Sequence, residues 1–170
     1  MNDPHYILLP ASPLFIAFSL VAAFLLNLLP WGQWIGVPDF VALVLVFWAI
    51  HEPRKIGISI AFMMGLLMDV NEATLLGENA LAYTLLSYFS IMIHRRVLWF
   101  PVGTQALHIL PLLLLTQAVQ LIVRLIVSGK FPHWYYFSES FVCALLWPVV
   151  TWLLLAPQRR AINRDDNRPI

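Results

Sequence analysis

Six apolar stretches dominate this sequence, and charged residues, prolines or glycines bound each of them. A helix needs roughly 20 residues to cross a bilayer core of about 30 Å, and four of the stretches meet or approach that length. The pattern predicts an all-α polytopic membrane protein with about six transmembrane helices in a single domain over residues 1–157. The expected spans are about residues 12–29, 38–50, 55–69, 75–93, 102–127 and 137–156.

The balance of residue types agrees with lipid as the solvent for most of the surface. The chain is 61% hydrophobic and 11% charged, whereas soluble domains average about 45–50% apolar and about 25% charged residues. A soluble domain of this length leaves much surface to be covered with polar groups. The chain has too few polar residues to cover such a surface.

The second and third stretches are short, so a re-entrant hairpin is an alternative to two spans. In a hairpin the charged joint over residues 51–55 would lie at membrane depth. Each buried charge there costs about 2.5–3.5 kcal/mol on insertion scales. Two short spans, accommodated by local bilayer thinning, fit the sequence better.

The distribution of Lys and Arg predicts the orientation. If the N-terminus is cytoplasmic, the inner segments hold most of the basic residues, and Arg124 and Lys130 lie on or near the outer side. The positive-inside rule therefore favours cytoplasmic N- and C-termini, a retained first span and a short basic tail over residues 158–170. The predicted inner basic residues are Arg54, Lys55, Arg95, Arg96, Arg159, Arg160, Arg164 and Arg168.

A stripe of small residues runs along the third stretch at a four-residue step and ends at a carboxylate. Small side chains at this spacing let two helices approach closely, so the stripe predicts either packing inside the bundle or docking of a partner's transmembrane helix. The stripe comprises Gly57, Ala61, Gly65 and Asp69.

Asp69 has three interpretations from the sequence. An ionisable group in a span is functional by default, which permits a proton relay. A carboxylate at a helix end can also simply be solvated. A structural role is the third interpretation, in which Asp69 accepts hydrogen bonds from the loop that contains Gly77 and Asn79.

The fifth stretch carries a second polar stripe. Thr116, Gln120 and Arg124 are four residues apart and Gln117 is adjacent. Amides facing lipid would be unsatisfied, so Gln117, Gln120 and Arg124 are expected to face inward. Arg124 could extend to the headgroups or pair with an acidic outer-loop residue such as Asp69 or Glu139. With Asp69, the stripe could line a small-molecule pocket if the third and fifth spans are adjacent.

The sequence offers no catalytic residue, metal site or cofactor site. His51-Glu52 begins like a zinc-protease motif, but Lys55 stands where the second histidine would be. Cys143 is alone, which excludes an internal disulfide and a Cys-based metal site. A net charge of +1 gives no case for nucleic-acid binding. We expect a protein that is not an enzyme.

The order of several motifs resembles the bacterial rod shape-determining membrane protein family MreD. The motifs are Pro38-Asp39 at the start of the second span, Gly65-Leu66-Leu67 before Asp69, Leu76-Gly77-Glu78-Asn79-Ala80-Leu81, and Leu146-Trp147-Pro148 in the last span. Family members usually place small or turn-forming residues between the Asp and the Leu-Gly pair. Here the segment 71–74 contains no glycine.

The resemblance implies a non-enzymatic component of the cell-elongation machinery in the bacterial cytoplasmic membrane. Family members act with MreC and, indirectly, the actin-like MreB, near the glycan polymerase RodA and its partner transpeptidase in peptidoglycan synthesis. On this basis, Pro38, Asp39, Leu76, Gly77 and Asn79 are expected to form a motif loop. The family is also similar in fold to the substrate-binding subunits of energy-coupling-factor transporters. That similarity supplies the alternative function, a small-molecule-binding or transporter subunit.

Overall fold

Six α-helices form the part of the molecule that the structure describes. The structure, a computed structural model, describes residues 6–8, 11–31, 36–73, 75–129 and 134–161; Lys130, Arg164 and Arg168, and most of the predicted basic tail, lie outside the described residues. The helices are α1 (Pro13–Leu28), α2 (Phe40–His51), α3 (Ile58–Glu72), α4 (Glu78–Leu98), α5 (Val102–Ser128) and α6 (Ser138–Leu155). The all-α class with six helices is confirmed, and α3 and α4 begin and end a few residues later than predicted.

Helix α2 is the centre of the bundle. Every residue from Val41 to Ile50 is buried, and α2 packs against α1, α4 and α6. Its 12 residues span only about 18 Å at 1.5 Å per residue. The neighbouring helices bury α2 from Val41 to Ile50, so its sides are shielded from the surroundings although it is short.

The apolar side chains face outward to an unusual degree. Leu14, Phe18, Leu145 and Trp152 are all more than half exposed. Buried polar side chains lie inside the bundle instead, among them Ser19, Ser87, Ser90, Gln105 and Thr151. This distribution is the one expected of helices surrounded by lipid, where polar groups turn toward the protein interior.

Within the described ranges, two helices are long and apolar enough to cross a membrane. They cover Val102–Val127 and Ser138–Gln158, with mean hydropathies of 2.0 and 1.9. Pro13–Leu28 and Phe40–His51 are apolar but shorter. Among the described residues, length and composition therefore support membrane crossing most directly for α5 and α6.

Two buried tryptophans tie helices together through their indole N–H groups. Trp48 on α2 donates to Ser19 Oγ on α1 at 2.8 Å, and Trp147 on α6 donates to Gln105 Oε1 on α5 at 3.3 Å. Both indoles are fully buried. Buried tryptophans usually find such a partner, because an unpaired N–H away from water is costly.

The two ends of the described chain form a small antiparallel sheet. Strand β1 (Tyr6–Leu8) pairs with β2 (Arg159–Ala161), with Ile7 opposite Arg160. This pairing was not predicted, because three residues are too few to show an alternating pattern. The pairing brings the start of α1 and the end of α6 to the same end of the bundle.

The small-residue stripe of α3 is covered by α4. A Cβ at Gly65 would lie 2.5 Å from the Ala80 nitrogen and 2.6 Å from the Asn79 carbonyl oxygen. Ala61 is also fully buried. Gly57 differs, because it precedes α3 as its N-cap residue and has open space around it. Of the two interpretations of the stripe, this contact supports packing inside the bundle.

Replacing Gly65 tests that close approach. We expect Gly65→Ala to destabilise the fold by about 1–3 kcal/mol, as for overpacked interiors, because the backbone of α4 would have to move. Thermal unfolding of the purified protein in detergent measures the loss. Gly103→Ala is the matched control, since Gly103 is exposed on α5 with no atom within 4 Å of an added Cβ. Equal melting temperatures for both variants would contradict the packing interpretation.

Candidate functional site

Polar side chains from all six helices meet at one end of the bundle. The C-terminal halves of α1, α3 and α5 reach this end, as do the N-terminal halves of α2, α4 and α6, because successive helices run in opposite directions. Hydrogen bonds connect most of these residues. We call them the polar cluster: Asn27, Asp39, Asp69, Glu72, Glu78, Asn79, Tyr83, Gln117, Gln120, Arg124, Tyr136, Glu139 and Ser140.

Asp39 joins three helices. It caps α2, where its Oδ1 accepts from the Ala42 N–H at 3.0 Å, and the same oxygen accepts from Asn27 Nδ2 on α1 at 2.9 Å. Its Oδ2 accepts from the Tyr83 hydroxyl on α4 at 2.5 Å. Asn27 completes the junction, because its Oδ1 accepts from the Phe40 N–H at 3.1 Å. A capping carboxylate at an Asp-Phe helix start is a known N-terminal signal, but the two side-chain partners were not predicted.

Asp69 holds the N-terminus of α4. Its Oδ2 accepts from the Gly77 N–H and its Oδ1 from the Asn79 N–H, both at 2.7 Å, and Oδ2 lies 3.4 Å from the Ala80 nitrogen. These are the amides that have no partner within the helix, and the helix dipole favours a negative charge there. Among the three interpretations of Asp69, these hydrogen bonds bear out the structural one.

The loop before α4 has the shape that this contact needs. Gly77 adopts φ +105°, a conformation open mainly to glycine. Ala73, which ends α3, adopts φ 50°, where a Cβ costs roughly 1–2 kcal/mol. Ala73 therefore takes the left-handed conformation without being a glycine. Leu76 is 77% exposed and takes no part in the polar cluster.

A chain of amides and a phenol links α3, α4, α5 and the turn before α6. Asn79 donates to Glu72 Oε2 at 3.4 Å and accepts from Gln120 Nε2 at 2.6 Å. Gln120 in turn accepts from the Tyr136 hydroxyl at 2.7 Å. Burial raises the pKa of Tyr136, so its phenol stays protonated and able to donate.

The inward orientation of Gln117 and Gln120 agrees with the sequence prediction, since both are less than a tenth exposed. Gln117 donates to Glu139 Oε2 at 3.1 Å and to the Tyr136 carbonyl at 3.2 Å. It accepts from Ser140 Oγ at 2.5 Å. The amide thereby ties α5 to the first turn of α6.

Arg124 pairs with an acidic residue of the predicted outer loops, as one of its two interpretations predicted, but that residue is Glu78 rather than Asp69 or Glu139. Arg124 forms an ion pair with Glu78, and its guanidinium lies 5.6 Å from the centre of the Tyr136 ring. The reason is the order of the helices. Helix α4 packs against both α3 and α5, so its first residue, Glu78, reaches Arg124, while Asp69 faces the amides of α4 on the other side.

A cavity of about 230 Å³ lies within the polar cluster. Of the four residues predicted to line a pocket, Gln120 and Arg124 line this cavity, whereas Asp69 and Gln117 do not. Its remaining polar lining comes from Asn27, Asp39, Asn71, Glu72, Asn79, Tyr136 and Glu139, with Pro38, Val37 and Met68 beside them. The cavity can hold water or a small polar group. Within the described residues, no group of His, Cys, Asp and Glu is arranged to hold a metal ion.

Sequence reasoning missed Asn27, Tyr83, Tyr136 and Ser140. Asn27 carried a usable signal, since it is the one amide in the first apolar stretch and polar residues in spans usually have a partner in the bundle. The other three are common at helix ends and interfaces. Only the packing of the helices distinguishes them from ordinary interfacial residues.

Comparison with known proteins places the chain in a family. The family model for rod shape-determining protein MreD matches residues 10–156. The chain belongs to the MreD family. A relative from Haemophilus influenzae, rod shape-determining protein MreD, is 30% identical over 149 residues, which cover 84% of this chain and 89% of the relative. The family predicted from the motifs is confirmed. No solved structure matches the chain, so the expected similarity to energy-coupling-factor subunits stays a prediction.

Removing the Asp69 carboxylate should loosen α4. In Asp69→Ala the Gly77 and Asn79 amides lose their acceptor, and unpaired buried donors cost about 1–3 kcal/mol each. We expect a loss of about 2–4 kcal/mol, with Asp69→Asn in between because one acceptor oxygen remains. Thermal unfolding measures the loss, with the exposed Asn71→Ala as control. An Asp69→Ala protein as stable as the Asn71→Ala protein would rule out the capping role.

A double-mutant cycle measures the ion pair between Glu78 and Arg124. The Glu78 side chain is 1% exposed, so Arg124→Gln alone leaves a buried charge without its cation. We expect Glu78→Gln and Arg124→Gln to be coupled by about 1–3 kcal/mol in unfolding free energy. The parallel cycle with Asp69→Asn and Arg124→Gln should give less than half that coupling. A larger coupling energy between Asp69 and Arg124 than between Glu78 and Arg124 would contradict the ion pair described here.

Proposed function

We propose that this MreD-family chain is a non-enzymatic component of the rod-shape machinery in the bacterial cytoplasmic membrane. Family membership, over residues 10–156, carries the proposal. In it, the chain binds MreC and helps to position the peptidoglycan synthesis enzymes, RodA and its partner transpeptidase, with MreB coupled indirectly. The helix bundle supplies a platform with short loops among the described residues rather than a reaction centre.

The membrane topology that we propose has six spans with both termini cytoplasmic. The pairing of β1 with β2 supports an even number of crossings, because it brings residues 6–8 and 159–161 to one side. Arg54, Arg95 and Arg96 lie toward that side, as the positive-inside rule requires. The polar cluster then lies at the outer end of the bundle.

A partner helix would bind the outward-facing apolar surface in this proposal. The stripe around Gly65 is occupied by α4, so it is unavailable for docking without opening the bundle. Exposed apolar side chains such as Phe18 on α1 and Leu145 on α6 offer alternative contacts. In lipid, such contacts gain stability from close packing rather than from the hydrophobic effect.

A second candidate function is the binding of a small polar molecule. The cavity in the polar cluster favours it, since about 230 Å³ exceeds the space of a few waters. Most of the lining side chains already have partners within the protein, however. A ligand would have to replace some of those hydrogen bonds, which makes the platform the better-supported function.

Depletion of the protein in its own host tests the proposal. We expect progressive widening and rounding of the cells while the wall-synthesis enzymes remain present, measured as cell width by microscopy. Re-expression of the wild-type chain should restore rods, and so should Gly103→Ala, which alters no contact. Rods of unchanged width after complete depletion would overturn the proposal and direct the search toward a ligand of the cavity.

A further inference from the structure

The corner between α4 and α5 forms a large open groove far along α4 from the polar cluster. It has a volume of about 640 Å³ and is lined by Arg95, Arg96, Trp99, Phe100 and His108. Most of its wall is aromatic. The two arginines belong to the last turn of α4. The groove therefore combines two cations with a wide apolar face.

The two arginines have no carboxylate partner among the described residues. Both side chains are exposed, and the ion pairs of the described part are Lys55 with Glu52 and Arg124 with Glu78. The other described carboxylates, at positions 39, 69, 72 and 139, belong to the polar cluster. The groove thus carries positive charge that the described residues leave unneutralised.

The apolar wall of the groove is held in place by contacts within the corner. The His108 ring stacks on Phe100 with centroids 4.6 Å apart, and its Nδ1 lies 3.0 Å from the Thr104 carbonyl oxygen. Gln105 Nε2 donates to the Phe100 carbonyl at 2.9 Å. Trp99, by contrast, is 89% exposed. An exposed indole beside a fixed aromatic wall is typical of the headgroup level of a bilayer.

We propose that this groove binds the headgroup and upper acyl chain of an anionic phospholipid. Arg95 and Arg96 would pair with the phosphate, since guanidinium groups match phosphate oxygens in geometry and charge. Trp99 and Phe100 would contact the glycerol and the first methylenes. The proposal rests on the membrane placement proposed above and adds a specific lipid site at the inner end of the bundle.

The shape of the groove favours a lipid over a free phosphate ion. Inorganic phosphate would use the two guanidinium groups and leave the aromatic wall exposed. A phospholipid covers both parts at once, and its concentration in the bilayer is high. Non-specific attraction of basic residues to anionic lipid is a third possibility. It would not depend on the aromatic residues, whereas the proposed lipid site does.

Native mass spectrometry of the full chain, released from vesicles of phosphatidylcholine with phosphatidylglycerol, tests the site. We expect the wild-type protein to retain one phosphatidylglycerol molecule. The Arg95→Gln/Arg96→Gln variant should retain about thirtyfold less, as the loss of two basic residues near an anionic surface predicts, and Trp99→Ala should also retain less. The matched control is Arg54→Gln, because Arg54 is an exposed basic residue of another loop and should leave retention unchanged.

Two results would overturn the proposal, and each would indicate a different kind of binding. An equal loss in Arg54→Gln would indicate uniform surface attraction, and loss of the adduct on adding excess inorganic phosphate would indicate a phosphate site alone. Circular dichroism checks that the variants are folded. Failure of the lipid site leaves the depletion experiment untouched, since a chain without retained lipid can still be required for rod shape.

Discussion

The structure depends on the contact between the Asp69 carboxylate and the first amides of α4. A helix that begins inside a membrane protein has amides with no water to satisfy them, and Asp69 supplies two acceptor oxygens at 2.7 Å. Gly65, one turn earlier on α3, allows the α4 backbone to come close enough for these bonds. Because α4 also packs against α2 and α5, its position determines where most of the bundle lies.

From that contact the hydrogen bonds spread across the end of the bundle. Asn79 lies between Asp69 and Gln120, and Tyr83 carries the connection to Asp39. Buried polar groups of this kind cost free energy unless all of them have partners, so the polar cluster favours one arrangement of the six helices over others. Because the side chains of the polar cluster bind one another, the outward apolar surface is the part of the protein open to other membrane components. A hydrogen-bonded interior and an exposed apolar surface agree with the platform that we propose.

The sequence predicted the helices, the family and the inward polar face of α5 because each has a local or ordered pattern. Apolar length identifies spans, and Gln117 and Gln120 repeat with the helical period. The sequence could not predict which helices are neighbours, and this is why Glu78 was not named as the partner of Arg124. Asp69 and Glu139 were reasonable partners by charge and depth, but α4 lies between α3 and α5. The β1–β2 pairing was missed for a related reason, since its two strands are too short to carry a pattern.

The short sheet between β1 and β2 has a consequence for how the protein is made. Strand β1 is synthesised before all six helices and β2 after them, so β1 has no pairing partner until the helices have been made. The sheet also places residues 6–8 beside residues 159–161, so a short linker could connect β1 to β2. Opening the chain in another loop would then give a permuted protein whose helices keep the same neighbours.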